Sequence, residues 1–275
     1  MLATVLINTS EGLSLKGALQ HPTLEPKGII ILVHGMGEHS GRYSHVSEFF
    51  TQHGFAVLRM DLRGHGISAG KRGHTPSYDH LMDDLRAICD KASELFPGIP
   101  MILYGHSMGG NLVLNFLIRR KPKLAAAIVT APYLRLAFEP PSWKVALGKI
   151  SAGILPKLTQ PTGLETAAIS RDPHVVTAYE KDPLVHDKIT SAFFVNVHFA
   201  GPYAIEHAAQ IEAPTLVMHG TSDRLTSHNG SLELHSNTKG NVELKIWEGL
   251  YHELHNEPEK EEVMAYELKW LEQHL

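Results

Sequence analysis

The chain has 275 residues, 43% of them hydrophobic, which suffices for one large core and excludes an intrinsically disordered chain. With 25 Lys and Arg against 29 Asp and Glu, the net charge of −4 removes the electrostatic case for a nucleic-acid partner. A single cysteine, Cys89, excludes an intrachain disulfide and a Cys-rich zinc site.

In chain order, Leu2 to Thr9 and Leu13 to Gln20 alternate apolar and polar residues around Ser10-Glu11-Gly12, the pattern of an antiparallel hairpin. The pattern then changes to short continuous apolar runs at Gly28 to Val33, Phe55 to Met60, Met101 to Tyr104, Leu124 to Val129 and Thr215 to Met218. Runs without alternation fit strands covered on both faces, as in a parallel sheet flanked by helices. Helical patterns lie between them at Tyr78 to Phe96, where Cys89 falls on the buried stripe, and at Met108 to Lys121. Glu257 to Leu275 reads as a closing amphipathic helix. The alternation predicts an α/β class: an open, mostly parallel central sheet with flanking helices and an N-terminal antiparallel hairpin.

From Pro132 to His207 the rhythm breaks, with no buried-strand run, which predicts a mostly helical insertion. The expected division is therefore a core over 1–131 and 208–275 and a helical insertion over 132–207. No run of about 18 apolar residues is present to span a membrane. The first ten residues lack a basic start followed by an apolar stretch, so no signal peptide is expected and a cytoplasmic location, or one peripheral to a membrane, is the default. The 19 histidines are expected to be mostly solvated.

The chemistry concentrates at strand ends. Met101-Ile102-Leu103-Tyr104 runs into Gly105-His106-Ser107-Met108-Gly109-Gly110, the G-x-S-x-G pattern between a strand and a helix. Such a turn projects the serine hydroxyl away from the sheet, which makes Ser107 the candidate nucleophile. A hydroxyl needs a base and the base an orienting acid, in chain order Ser, acid, His. Asp223 follows the strand Thr215 to Met218, and His252 follows the strand Val242 to Trp247; they are the candidate acid and base. Asp61 precedes the nucleophile and reads as a loop pin, while Asp187 falls in the insertion. His255 is open to two readings, a solvated residue before the last helix or a substrate contact. For the oxyanion, the backbone N–H of Met108 at the helix head and that of Met36, in the loop Val33-His34-Gly35-Met36-Gly37, are the candidate donors.

The segment from His34 to Tyr43, the Gly-His-Ser-Met-Gly-Gly turn, Asp61 to Gly66, His219 to Asp223 and Tyr251 to His255 together resemble the monoacylglycerol lipase and lysophospholipase branch of the α/β-hydrolases. The resemblance implies an α/β-hydrolase fold, the triad Ser107, Asp223 and His252, and Met36 and Met108 as oxyanion donors. It also implies that Glu38, Arg42 and His255 line the polar end of the pocket, near the glycerol hydroxyls. Where animal members often carry a cysteine three residues after the acid, this chain has Thr226.

The resemblance makes the insertion a cap. Trp143, Leu147, Ile150, Ile154 and Leu158 recur at helical spacing beside Lys144, Lys149 and Lys157, interrupted by Gly148, Gly153 and Pro156. That stripe is open to three readings: a lid packed on the core, a wall of an acyl channel, or a transient contact with a lipid surface. The expected activity is serine-dependent hydrolysis of a carboxylic ester, with a lipid-ester small molecule such as a monoacylglycerol as substrate and no metal or organic cofactor. Lysophospholipid or small-ester hydrolysis keeps the same chemistry, and a silent ligand-binding protein on this scaffold is the non-enzymatic alternative.

Overall fold

In a computed structural model the structure describes residues 2–138 and 140–275. Met1, the first residue of the segment read for a signal peptide, and Glu139, within the expected insertion, lie outside the described residues. The elements in order are β1 (Leu2–Asn8), β2 (Ser14–Gln20), β3 (Gly28–Val33), α1 (Ser44–Gln52), β4 (Phe55–Met60), α2 (Tyr78–Leu95), β5 (Met101–His106), α3 (Met108–Arg120) and β6 (Ala126–Thr130). Next come α4 (Ser142–Ile154), β7 (Thr159–Pro161), α5 (Pro173–Lys181), β8 (Lys188–Thr190), α6 (Ser191–Glu206), β9 (Thr215–Gly220), α7 (His228–Ser236), β10 (Val242–Trp247) and α8 (Lys260–His274).

Eight strands form one sheet in the order β1-β2-β4-β3-β5-β6-β9-β10. The hairpin pairs antiparallel from Leu2↔Gln20 to Asn8↔Ser14, and β2 joins β4 antiparallel. Every later pairing in this sheet is parallel. Alternate residues of the buried strands feed two cores. Ile29, Ile31, Val33, Leu103 and Val129 pack with α2, α3 and α6 on one face. Ile30, Leu32, Ile102, Tyr104 and Ile128 pack with Phe50 of α1 and Trp270 and Leu271 of α8 on the other.

Helix α2 shows why such elements form. Ser77 caps its N-terminus by accepting from His80 N–H, and Leu81, Leu85, Ile88, Cys89 and Ala92 recur on the buried face. Truncating Leu85 to alanine there would cost about 2–5 kcal/mol. Burial pushes the Cys89 thiol up to about 12, as befits a packing residue.

The segment between β6 and β9 departs from expectation in two ways. It carries a small antiparallel pair, β7 with β8, whose three-residue strands are too short to leave a buried run in the sequence. Gly148 and Gly153 also lie inside a continuous α4 rather than interrupting it, and Pro156 follows the helix end. No residue of α4 is buried, and Trp143 is 64% and Ile154 73% exposed.

Candidate active site

Because β3, β5, β9 and β10 run parallel, their carboxyl ends share one edge of the sheet, where open α/β sheets form their binding crevices. Ser107 follows β5 with φ +54° and ψ −116°, a conformation that side-chain-bearing residues seldom adopt. Its backbone is held on both sides: Ser107 N–H donates to Thr130 O at 2.9 Å, and Tyr133 N–H to Ser107 O at 2.9 Å. Strand, turn and helix meet so closely that a Cβ on Gly105 would lie 2.6 Å from Gly109 O, and one on Gly109 would lie 2.1 Å from Val33 O. Only glycine fits at either position.

Ser107 Oγ lies 2.9 Å from His252 Nε2, and His252 Nδ1 lies 2.7 Å from Asp223 Oδ2. The carboxylate fixes the tautomer: Nδ1 carries the proton and donates to Asp223, leaving Nε2 to accept from the serine hydroxyl. Burial opposes a charge on His252, but Asp223 outweighs it and holds the imidazole above its ordinary value. Burial likewise opposes the Asp223 charge, yet His252 and a hydrogen bond from His219 hold its carboxyl well below the usual carboxylate range. Asp223 Oδ1 accepts from the N–H groups of Leu225 at 2.7 Å and Thr226 at 3.0 Å, which fixes the loop after β9.

The loop after β3 approaches the same point. Gly35 is fixed at both backbone groups: its carbonyl accepts from His34 Nδ1 at 2.8 Å, and its N–H donates to Glu38 Oε1 at 2.6 Å. His34 Nε2 accepts from Leu62 N–H at 2.9 Å, which assigns the ring proton to Nδ1. Two residues on, Gly37 O accepts from His186 N–H at 2.8 Å, tying this loop to the segment before β8. Met108 opens α3, where first-turn N–H groups have no acceptor within the helix.

A cavity of about 890 Å³ opens over Ser107. Met36 and His252 line it beside the serine, and its walls are apolar side chains such as Leu136, Trp143, Leu147, Leu158 and Phe194. Trp143 and Leu147 of α4 line the cavity, as does Leu158, which lies beyond the helix end, whereas Ile150 and Ile154 do not.

Glu38, Arg42 and His255, expected at the polar end of the pocket, are not among its lining residues. They are buried beside it. Arg42 bridges Glu38 and Glu253, meeting the latter at two points, 2.6 and 2.7 Å. Tyr43 O–H donates to Glu38 Oε1 at 2.6 Å. His255 is fully buried rather than solvated, its ring stacked on Tyr43 at 4.6 Å. Burial pushes it well below the ordinary histidine value.

Of the 19 histidines, His34, His39, His65, His106, His219, His252 and His255 are buried, while the other twelve are partly or fully exposed. Residue type alone does not report burial, which here is set by partners distant in sequence. Asp61 pins two loops, accepting from Ser40 N–H and Ile67 N–H at 2.8 Å each, and Asp187 is exposed in the segment before β8. His219, Ser231 and Glu253 escaped the sequence reading; only the placement of His219 at a strand end, four residues before Asp223, could have marked it.

Sheet order, the strained serine turn and the carboxyl-end site define an α/β-hydrolase. Residues 24–259 match the family described as serine aminopeptidase, S33. The chain is 36% identical over 256 residues to a monoacylglycerol lipase of Mycolicibacterium smegmatis, covering 92% of this chain and 91% of that one. It is 35% identical over 277 residues to an uncharacterized abhydrolase domain-containing protein of Dictyostelium discoideum, spanning all of this chain but 29% of that longer protein. The crystal structure of a Paleococcus ferrophilus monoacylglycerol lipase superposes with a TM-score of 0.86 at 33% identity, covering 100% of both chains. The chain belongs to the S33 family of α/β-hydrolases, and it is a carboxylic ester hydrolase. Among the described residues, no helix is long and apolar enough to cross a membrane.

Proposed function

We propose that the protein cleaves monoacylglycerols to glycerol and free fatty acid through Ser107, His252 and Asp223. The observation that carries this reading is the unbroken pair of contacts, 2.9 Å from Ser107 Oγ to His252 Nε2 and 2.7 Å from His252 Nδ1 to Asp223 Oδ2, at the floor of an apolar cavity. The lipases of M. smegmatis and P. ferrophilus add the substrate class.

In this reading His252 takes the hydroxyl proton as Ser107 Oγ attacks the ester carbonyl. The N–H groups of Met36 and Met108 receive the oxyanion, each worth roughly 3 kcal/mol. The imidazolium, stabilised by Asp223, then protonates the departing glycerol oxygen. Water repeats the steps on the acyl-enzyme and frees the fatty acid. Glu38 and Arg42 act at one remove, holding Gly35 and the loop of His252 in register, and His255 fills the space behind.

Residues 132–207 form a cap in this reading. Trp143, Leu147 and Leu158 contact the acyl chain, while exposed Ile150, Ile154 and Leu155, beside Lys149 and Lys157, meet the lipid surface from which substrate is drawn.

The test is hydrolysis of a long-chain monoacylglycerol, a lysophospholipid and a short soluble ester by the wild type and Ser107→Ala. Loss of all three activities in the variant, with the monoacylglycerol preferred by the wild type, is expected. Undiminished turnover by Ser107→Ala would remove the nucleophile assignment.

A further inference from the structure

Strand β9 ends at His219–Gly220, and the His219 ring is fully buried behind Asp223. Its Nε2 lies 3.0 Å from Asp223 Oδ2, the oxygen that also receives His252 Nδ1–H at 2.7 Å and the Thr226 hydroxyl at 2.8 Å. On its other side, His219 Nδ1 lies 2.8 Å from Ser231 Oγ of α7. A bare Nε2 would set two lone pairs against each other, so the His219 proton sits on Nε2, and Nδ1 accepts from the Ser231 hydroxyl. Two imidazoles therefore donate to one carboxylate oxygen.

A second donor draws on the charge that Oδ2 offers to His252. The less of that charge His252 receives, the less tightly it holds a second proton, and the further into acid it stays neutral. We propose that His219 is a positioning residue: it fixes Asp223 Oδ2 against the His252 ring and shares the carboxylate charge, so that the base remains unprotonated at lower pH. The proposal rests on the reading of Asp223 as the acid of the triad. Other titratable groups face this assembly from neighbouring elements. His106 lies 4.7 Å from the His252 ring, His228 lies 6.4 Å from the His219 ring, and Glu253 and Glu38 act on His252 through space. Among the described residues none of these four hydrogen-bonds Asp223; the Leu225 and Thr226 N–H groups bond Oδ1, so at Oδ2 the charge-sharing role falls to His219 and the Thr226 hydroxyl.

The experiment compares His219→Gln, His219→Asn and His219→Leu in kcat, KM and the pH dependence of kcat/KM. A glutamine amide reaches where Nε2 sits and restores a donor to Asp223. An asparagine amide reaches only where Nδ1 sits, keeping a bond to Ser231 without one to Asp223. The expected result is that His219→Gln stays near the wild type. His219→Asn and His219→Leu should lose about tenfold in kcat at little change in KM, with the acid limb moved up by about half a unit to one unit. A wild-type kcat and acid limb in His219→Asn, or a His219→Gln variant as impaired as His219→Leu, would overturn the proposal. Should His219→Leu fail to fold, the Gln and Asn pair decides alone. Ser107→Ala in the same assay separates the two ideas: turnover there defeats the triad, whereas a silent Ser107→Ala beside a wild-type-like His219→Asn defeats only the role of His219.

Discussion

Arg42 and Glu253, 211 positions apart in sequence, meet side by side, with Nη1 2.6 Å from Oε1 and Nη2 2.7 Å from Oε2. This bidentate pair joins the loop after β3 to the loop that carries His252, and Glu38 extends it to the N–H of Gly35. Arg42→Ala would leave two buried carboxylates facing each other without their cation, which costs about 3–5 kcal/mol. A urea-unfolding midpoint equal to that of the wild type would refute this. In whatever folded enzyme remains, kcat should fall more than KM rises, because the loop loosened is the one carrying Met36.

Glu267 of α8 is fully buried under the sheet, and among the described residues only the Tyr104 hydroxyl, at 3.0 Å, partners one of its oxygens. Burial pushes its carboxyl up to about 8. The folded value lies above the unfolded one, so over the window from the ordinary carboxylate range to about pH 8 the unfolded chain releases a proton that the native state retains. Stability conferred by the protonated acid is therefore full in acid and declines as pH rises through that window. Glu267→Gln keeps an acceptor for Tyr104 and cannot ionise. Thermal melts should show the variant gaining on the wild type with rising pH, by at least about 1 kcal/mol at pH 8. Parallel melting curves at pH 5 and pH 8 would count against it.

Gly148 lines the cavity from α4, and a Cβ built there would sit 3.6 Å from the Phe194 ring. The backbone is helical at this point, so a larger residue is conformationally allowed and its bulk would enter the space above Ser107. In Gly148→Leu, hydrolysis of long-chain esters should drop about tenfold in kcat/KM while a short ester is little affected. Equal losses on both would show that this wall does not touch the acyl chain.

The positive φ of Ser107 stores strain that serves only to aim its hydroxyl. Ser107→Gly should consequently be more stable than Ser107→Ala by about 1–2 kcal/mol, the reverse of the order inside a helix, with both variants inactive. Calorimetry of the two proteins side by side measures that difference.

The hairpin and the parallel core were legible in the sequence because burial on one face or on two leaves distinct signatures, as in β1 against β3. The glycines around Ser107 and the placement of Asp223 and His252 after separate strands were legible for a geometric reason: parallel strands deliver the loops at their carboxyl ends to one edge. Helices α1 and α7 were not foreseen. Each spans nine residues, with Val46, Ser47 and Phe50, or Gly230, Ser231 and Leu234, as its buried set, too few for a periodic stripe. The setting of Glu38, Arg42 and His255 could not be read either, since it depends on Glu253 and Tyr43 arriving from elsewhere in the chain.

The bond from His186 N–H to Gly37 O makes the loop after β3 and the chain before β8 mechanically one piece. In a chimera that exchanged the segment between β6 and β9 for that of another hydrolase, this backbone tether would depend on the path of the grafted chain unless the graft ended ahead of residue 186. Engineers seeking new selectivity should therefore splice upstream of that histidine, where the native backbone keeps its hold on the loop after β3.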